Sequence, residues 1–171
     1  MNGMNGMDGE CPPFYGKYRG IVTDNNDPNG LGRIRFKAQD VLGDKKSGWA
    51  LPALPYAGDG VGLYLIPPVD AFVWVEFEHG DPDYPIWTGS FWLTSLAVPK
   101  EASGPDIKLL KTHIATITIN DSDRLSSITI ETTNKLKIVM DRHGIEISNG
   151  DQKITLSTAS VSVNNGALEV M

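Results

Sequence analysis

The sequence predicts an all-β chain in two parts, a small barrel of short strands followed by a narrow β-helical segment that closes only by association round a threefold axis. Three observations predict it. All 14 aromatic residues lie at or before Trp92 and all 11 prolines at or before Pro105. Of 18 glycines only Gly144, Gly150 and Gly166 come after that point. Beyond it the chain becomes a monotonous alternation of Ile, Val and Leu with Thr, Ser, Lys and Glu, the period-2 signature of strands. The stretch 93–106, LTSLAVPKEASGPD, is small, polar and Pro-bearing, with no apolar period of its own, and reads as a linker. The expected divisions are a flexible segment over 1–16, a barrel over 17–92, the linker 93–106 and a needle over 107–171.

In the barrel, KYRGIVTD is closed by the turn cluster NNDPNG. LGRIRFKA then places Ile34 and Phe36 on one face and Arg33, Arg35 and Lys37 on the other, a hairpin with one wet face. GWALPALP carries Pro52 and Pro55, which remove ladder donors and predict an edge or a bulge. GVGLYLIP and AFVWVEFE are the next predicted strands. In the latter Val73, Val75 and Phe77 are expected to fill the barrel, while Phe72 and Trp74 emerge opposite and need a cover. A second layer of the same domain would cover them, and so would another subunit or a hub protein.

In the needle the aliphatic pairs are Ile117 and Ile119, Ile128 and Ile130, Leu136 and Ile138, Ile145 and Ile147, Ile154 and Leu156, Val161 and Val163, Leu168 and Val170. Successive pairs start 7 to 11 residues apart, separated by tight polar turns such as NDSD, DRHG and SNGD, which suggests a β-solenoid or β-helix. The absence of aromatic rings fits an interior too narrow for them; a small independent sandwich is the competing reading. One winding of this length presents an apolar stripe with no second sheet to close it. Three chains forming a triangular prism are therefore expected, with Ile117 to Val163 as the core of the trimer.

Composition excludes several function classes. Net charge is −6, with neither half basic, so no positive field invites a nucleic-acid backbone. The start, MNGMNGMDGECPPFYG, lacks the basic and apolar regions of a signal peptide, and no apolar run is long enough for a membrane span. Folding in the producing cell's cytoplasm is expected. The single cysteine, Cys11, cannot form an intrachain disulfide. His79, His113 and His143 show no paired spacing, and Glu76, Glu78, Asp81 and Asp83 around His79 read as a solvated turn. GDGVG around Asp59 lacks the Lys-Ser/Thr step of a phosphate loop. No catalytic residue, metal site or cofactor is predicted, so an enzyme is not expected.

Residues 17–92 then supply a resemblance. Its pieces are Gly20-Ile21-Val22, Gly32-Arg33-Ile34-Arg35-Phe36 after a DP turn, Trp49, a Gly-rich segment before Pro67, and Glu76-Phe77 leading into Gly80-Asp81-Pro82-Asp83-Tyr84-Pro85-Ile86-Trp87-Thr88-Gly89. In order and spacing they resemble the OB-fold domain of the central spikes of contractile phage tails, the gpV and VgrG group. The resemblance implies an OB-fold barrel followed by a β-helical needle, and a mechanical role in the baseplate of a phage or tail-like particle. No hub region is fused ahead of the barrel, so a separate hub protein is implied. The linker is too short for an inserted lysozyme domain. The end, SVNNGALEVM, has no histidine for a metal-bound apex, which implies a separate PAAR-type tip protein, met by Leu168 and Val170, and a transient contact with the target membrane. The alternative is an OB-fold module binding oligosaccharide or oligonucleotide with Trp49, Trp74 and Trp87 as stacking platforms, and Arg33, Arg35 and Lys37 as its cations.

Overall fold

A computed structural model describes residues 13–171. Cys11 and most of the segment expected to be flexible lie outside the described residues. The chain divides into two compact units, the first ending at Leu93 and the second beginning at Thr94.

The first unit contains β1 (Tyr18–Asp24), β2 (Arg35–Lys37), a single helical turn α1 (Gln39–Leu42), β3 (Leu51–Pro52), β4 (Ala57–Gly58), β5 (Val61–Gly62), β6 (Phe72–Phe77) and β7 (Pro85–Phe91). Five of the strands form one sheet in the order β2-β1-β6-β7-β3. Its two edges meet where Ile34 and Ala50 exchange backbone hydrogen bonds of 3.2 and 2.8 Å, which turns the sheet into a barrel. β3 pairs with β7 in parallel for only two residues, as expected of a segment whose prolines cannot donate to a ladder.

Alternation decides what fills the barrel. Val22, Ile34, Phe36, Val73 and Val75 are fully buried, and Ala38, Ala50, Phe77 and Trp87 complete the core. Gly20 lies where a Cβ would come within 3.2 to 3.3 Å of Phe36, Val73 and Val75, so the absence of a side chain there lets those three pack. Phe14 closes one end. Its N–H donates to the Gly80 carbonyl at 2.8 Å, and its ring packs against Tyr18 and Phe77.

Two details differ from expectation. The predicted strand GVGLYLIP contracts to β5, which pairs only with β4. Gly60 at φ 68° turns the chain between them, and Tyr56, Val61, Leu63, Tyr64 and Leu65 remain exposed, so this segment has no sheet to join. Conversely, β7 forms over Pro85–Phe91, where no strand is predicted. Trp87 on it is buried, with its indole N–H donating to the Gly32 carbonyl at 3.1 Å.

The β1–β2 connection is organised by Asp27. The Asp27 carbonyl accepts from Gly30 N–H at 3.0 Å, and its carboxylate accepts from the N–H groups of Asn29, Leu31 and Arg33. The Arg33 guanidinium adds Nε and Nη2 donors, the latter at 2.6 Å. The Arg33 hydrogen bonds, assisted by the backbone donors and opposed by desolvation, hold the Asp27 carboxyl far below the usual carboxylate range.

The second unit is an eight-stranded sheet in the order β15-β14-β13-β12-β11-β10-β9-β8. Its strands are β8 (Ile107–Lys111), β9 (Ala115–Asn120), β10 (Ser127–Thr132), β11 (Leu136–Asp141), β12 (Gly144–Asn149), β13 (Gln152–Leu156), β14 (Val161–Val163) and β15 (Leu168–Val170). Every neighbour is also the neighbour in sequence, and every pair is antiparallel. One chain is thus a meander and not a solenoid coil. The short turns explain this, since they can join antiparallel neighbours but not the longer crossovers of parallel ones. Ahead of β8, Glu101 pairs with Lys111 at 2.5 Å, fixing part of the expected linker to this unit.

Truncating Phe36 to alanine should cost about 3 to 5 kcal/mol of barrel stability, measured by denaturant unfolding. Asp27 gives a pH signature. Its folded pKa lies below its unfolded value of about 4, so its contribution is complete above that value and is lost as the pH falls toward the folded one. Asp27→Asn should lower the melting temperature at pH 7 and flatten its decline below about pH 4; equal acid sensitivity of variant and parent would contradict this role.

Candidate functional site

Register places the aliphatic side chains of the second unit in two continuous rows on one face. Residues directly opposite in an antiparallel pair share a face. The first row runs Leu110, Ile117, Ile130, Ile138, Ile147, Ile154, Val163, Leu168. The second runs Lys108, Ile119, Ile128, Met140, Ile145, Leu156, Val161, Val170. Lys108 heads the second row and pairs with Asp121 at 2.5 Å. The opposite face is mostly polar, with Thr118, Thr129, Glu146, Thr155 and Ser162 in a row that also takes in Leu109 and Val139, and a cross-strand Lys153–Glu146 ion pair of 3.1 Å.

In the single chain these rows face outward. Ile117, Ile119, Ile128, Ile130, Leu136, Ile145, Ile147, Ile154, Leu156 and Val161 are each 37% to 46% exposed, while Thr129 on the polar face is less exposed than its Ile neighbours. An open groove of about 530 Å³ lies along the apolar face, lined by Ile130, Leu136, Ile138, Ile147, Ile154 and Val163. Leu168 and Val170 form the last rung and are 60% and 59% exposed.

The rows refine the pairs read from sequence. In β11 the rung is Ile138 with Met140, whereas Leu136 sits at the strand end opposite Asn149. LKIVM is apolar at four of five positions, so alternation alone could not choose its pair. Leu110 and Lys108 were missed because IKLLK has no clear period. Gly144 was read as part of a turn, yet it has φ 139° and a Cβ there would lie 1.9 Å from the Leu156 carbonyl oxygen. Only glycine lets β12 begin against β13 at this spacing.

On the barrel, Phe72 and Trp74 lie on the outer face, half-buried against Phe91 at ring-centroid distances of 5.7 and 4.6 Å. Arg19 stands over Trp74 at 5.9 Å, and Gly89 lies opposite Trp74 in the β6–β7 pair. The three tryptophans weighed as stacking platforms are occupied otherwise. Trp87 is in the core, Trp49 lies under both Arg33 and Arg35 at 5.6 and 4.7 Å, and Trp74 leans on Phe91.

The titratable candidates do not converge. Glu76 accepts from Lys17 Nζ at 2.7 Å, Asp81 accepts from the N–H of Asp83 within its turn, and the His79 side chain is exposed. His143 accepts from Arg142 Nε at 3.0 Å. Among the described residues no group of three or more His, Cys, Asp or Glu side chains is placed to hold a metal ion.

Comparison with known proteins follows the same two units. Residues 18–92 match the type VI secretion system/phage-baseplate injector OB domain, and residues 107–169 match the phage baseplate V C-terminal trimerisation domain. The chain belongs to the phage baseplate V family. A curated relative, the type VI secretion system spike protein VgrG4b of Pseudomonas aeruginosa, is 41% identical over 98 residues, which is 53% of this chain and 12% of that protein. The chain therefore spans only a small part of that relative's length. The first unit of this phage baseplate V chain is an OB barrel, the aliphatic rows lie in its trimerisation domain, and the family is that of a structural spike in injection systems.

Replacing Gly144 by alanine should break the β12–β13 pairing and lower the thermal stability of the trimerisation domain. Loss of amide-exchange protection at β12 and β13, with the barrel amides unaffected, is the expected result; unchanged protection would show that the turn tolerates a side chain.

Proposed function

We propose that three copies of this chain wind their eight-stranded sheets round a common axis, rows inward, as a triangular β-helical needle. The exposed rows carry this reading. Burying an aliphatic side chain is worth roughly 1.5 to 3 kcal/mol, and about two-fifths of that remains unrealised at each rung of a lone chain. Over both rows the unrealised burial is on the order of 10 kcal/mol per chain, comparable with the net stability of a whole domain. A family-wide trimerisation role supports three as the number of copies.

In this reading Ile117, Ile119, Ile128, Ile130, Leu136, Ile138, Ile145, Ile147, Ile154, Leu156, Val161 and Val163 form the trimer core, joined by Met140 and Leu110. The chain acts as the central spike of a contractile injection machine, in the baseplate of a phage or tail-like particle. It joins a separate hub protein at the barrel to a PAAR-type tip protein at Leu168 and Val170, and passes through the target envelope when the machine fires. Its work is mechanical, without catalysis, cofactor or nucleic acid, and its contact with the target membrane is transient. The domain divisions 17–92, 93–106 and 107–171 correspond to collar, connector and needle. The oligosaccharide or oligonucleotide alternative loses support because Trp87 is in the core, Trp49 already carries two guanidinium groups and Trp74 leans on Phe91.

Light scattering on a sizing column should give a mass near 56 kDa, three times the 18.6 kDa chain. A monodisperse species at the chain mass would overturn the spike. Ile138→Asp or Ile154→Asp should abolish that trimer, because three carboxylates would meet in an apolar interior; retained mass would mean that these side chains do not face the axis.

A further inference from the structure

The outer face of the barrel carries an arrangement that the fold does not require. Pairing across five backbone segments aligns Lys46, Lys37, Ile21, Phe72 and Phe91 in one cross-strand row. The next row holds Arg19 and Trp74. One half of this face is apolar and aromatic, the other cationic. Lys37 and Lys46 stand directly opposite each other, a like-charge pair that weakens a sheet unless something compensates it.

Beside them, Arg35 is half-buried against Trp49 at 4.7 Å, and its Nε is buried with no hydrogen-bond partner among the described residues. Asp24 faces Arg35 across the β1–β2 pair, but its carboxylate accepts the Asn26 N–H at 3.0 Å and forms no ion pair with the guanidinium. Arg33, by contrast, has its carboxylate in Asp27. Among the described ion pairs none includes Arg19, Arg35, Lys37 or Lys46. The chain as a whole is acidic, at −6, so composition does not account for unpaired cations collecting here.

We propose that this face docks another protein through a surface on which apolar side chains lie beside carboxylates, the apolar part seated on Phe72, Trp74 and Phe91 and the carboxylates on Arg35, Lys37 and Lys46. Aromatic residues and arginine are the groups that dominate well-packed interfaces, and facing charges fix orientation and speed encounter. The inference rests on the spike reading, in which the barrel meets a hub, and it names the chemistry of that contact. A nucleic acid fits less well, because Trp49 is engaged by guanidinium groups and Trp74 by Phe91, and the chain as a whole is acidic.

The test uses the full-length chain and three dye-labelled probes in fluorescence anisotropy: a short peptide alternating glutamate with leucine, its glutamine counterpart, and oligothymidylate. The glutamate peptide should bind, more weakly as salt rises. Its affinity should fall about tenfold or more in the K37Q/K46Q variant, which alters only exposed side chains, and again in R35Q and Phe72→Ser. Equal binding of the glutamine peptide, or no effect of K37Q/K46Q, overturns the proposal. Tighter binding of oligothymidylate, lost in the same variant, assigns the face to nucleic acid instead. The trimer mass is read separately. A trimer that ignores the peptide defeats this inference alone, whereas a monomer that binds it defeats the spike and leaves the docking face.

Discussion

Shortness of connection governs the second unit. Turns of a few residues can return the chain only beside the strand just laid down, so the sequence from Ile107 onward becomes a meander in which each strand bonds to its predecessor and its successor. Alternation then sends every second side chain to one face, and the register carries those side chains into two unbroken aliphatic rows. A meander has no second layer. Local chemistry thus creates an apolar surface that local chemistry cannot cover, and association follows from connectivity as much as from hydrophobicity.

The barrel solves the same problem in the opposite way. Its sheet curls until Ile34 meets Ala50, and the inward residues of β1, β2, β6 and β7 cover one another. What it leaves outside is an aromatic patch and a group of cations, both anchored on strands that the core holds rigid. Asp27 contributes indirectly, since the turn it organises sets the start of the Ile34–Lys37 segment and occupies Arg33, leaving Arg35 among the cations without a carboxylate.

Much of this was legible in the sequence because the period-2 signal is strong where one face is buried. Ile34, Phe36, Val73, Val75 and Phe77 were placed inside correctly by alternation alone. The aliphatic pairs were found for the same reason, except in LKIVM and IKLLK, where apolar residues on both faces erase the period. Two-residue pairings such as β3 and β4–β5 are too short to leave a pattern. Trp87 could not be distinguished from a surface ring, because its burial depends on the Gly32 carbonyl supplied from a distant segment. The spacing of the aliphatic pairs does not separate a solenoid from a meander; the tight turns NDSD, DRHG and SNGD are the part of the sequence that does.

Because neighbouring strands lie about 4.8 Å apart, inserting one more hairpin in the meander would extend the sheet by about 10 Å while changing partners only at the point of insertion. The length of the sheet is therefore an evolvable quantity, open to duplication or loss of a segment of roughly twenty residues. The barrel would be untouched by that change, so the two units could vary independently of each other.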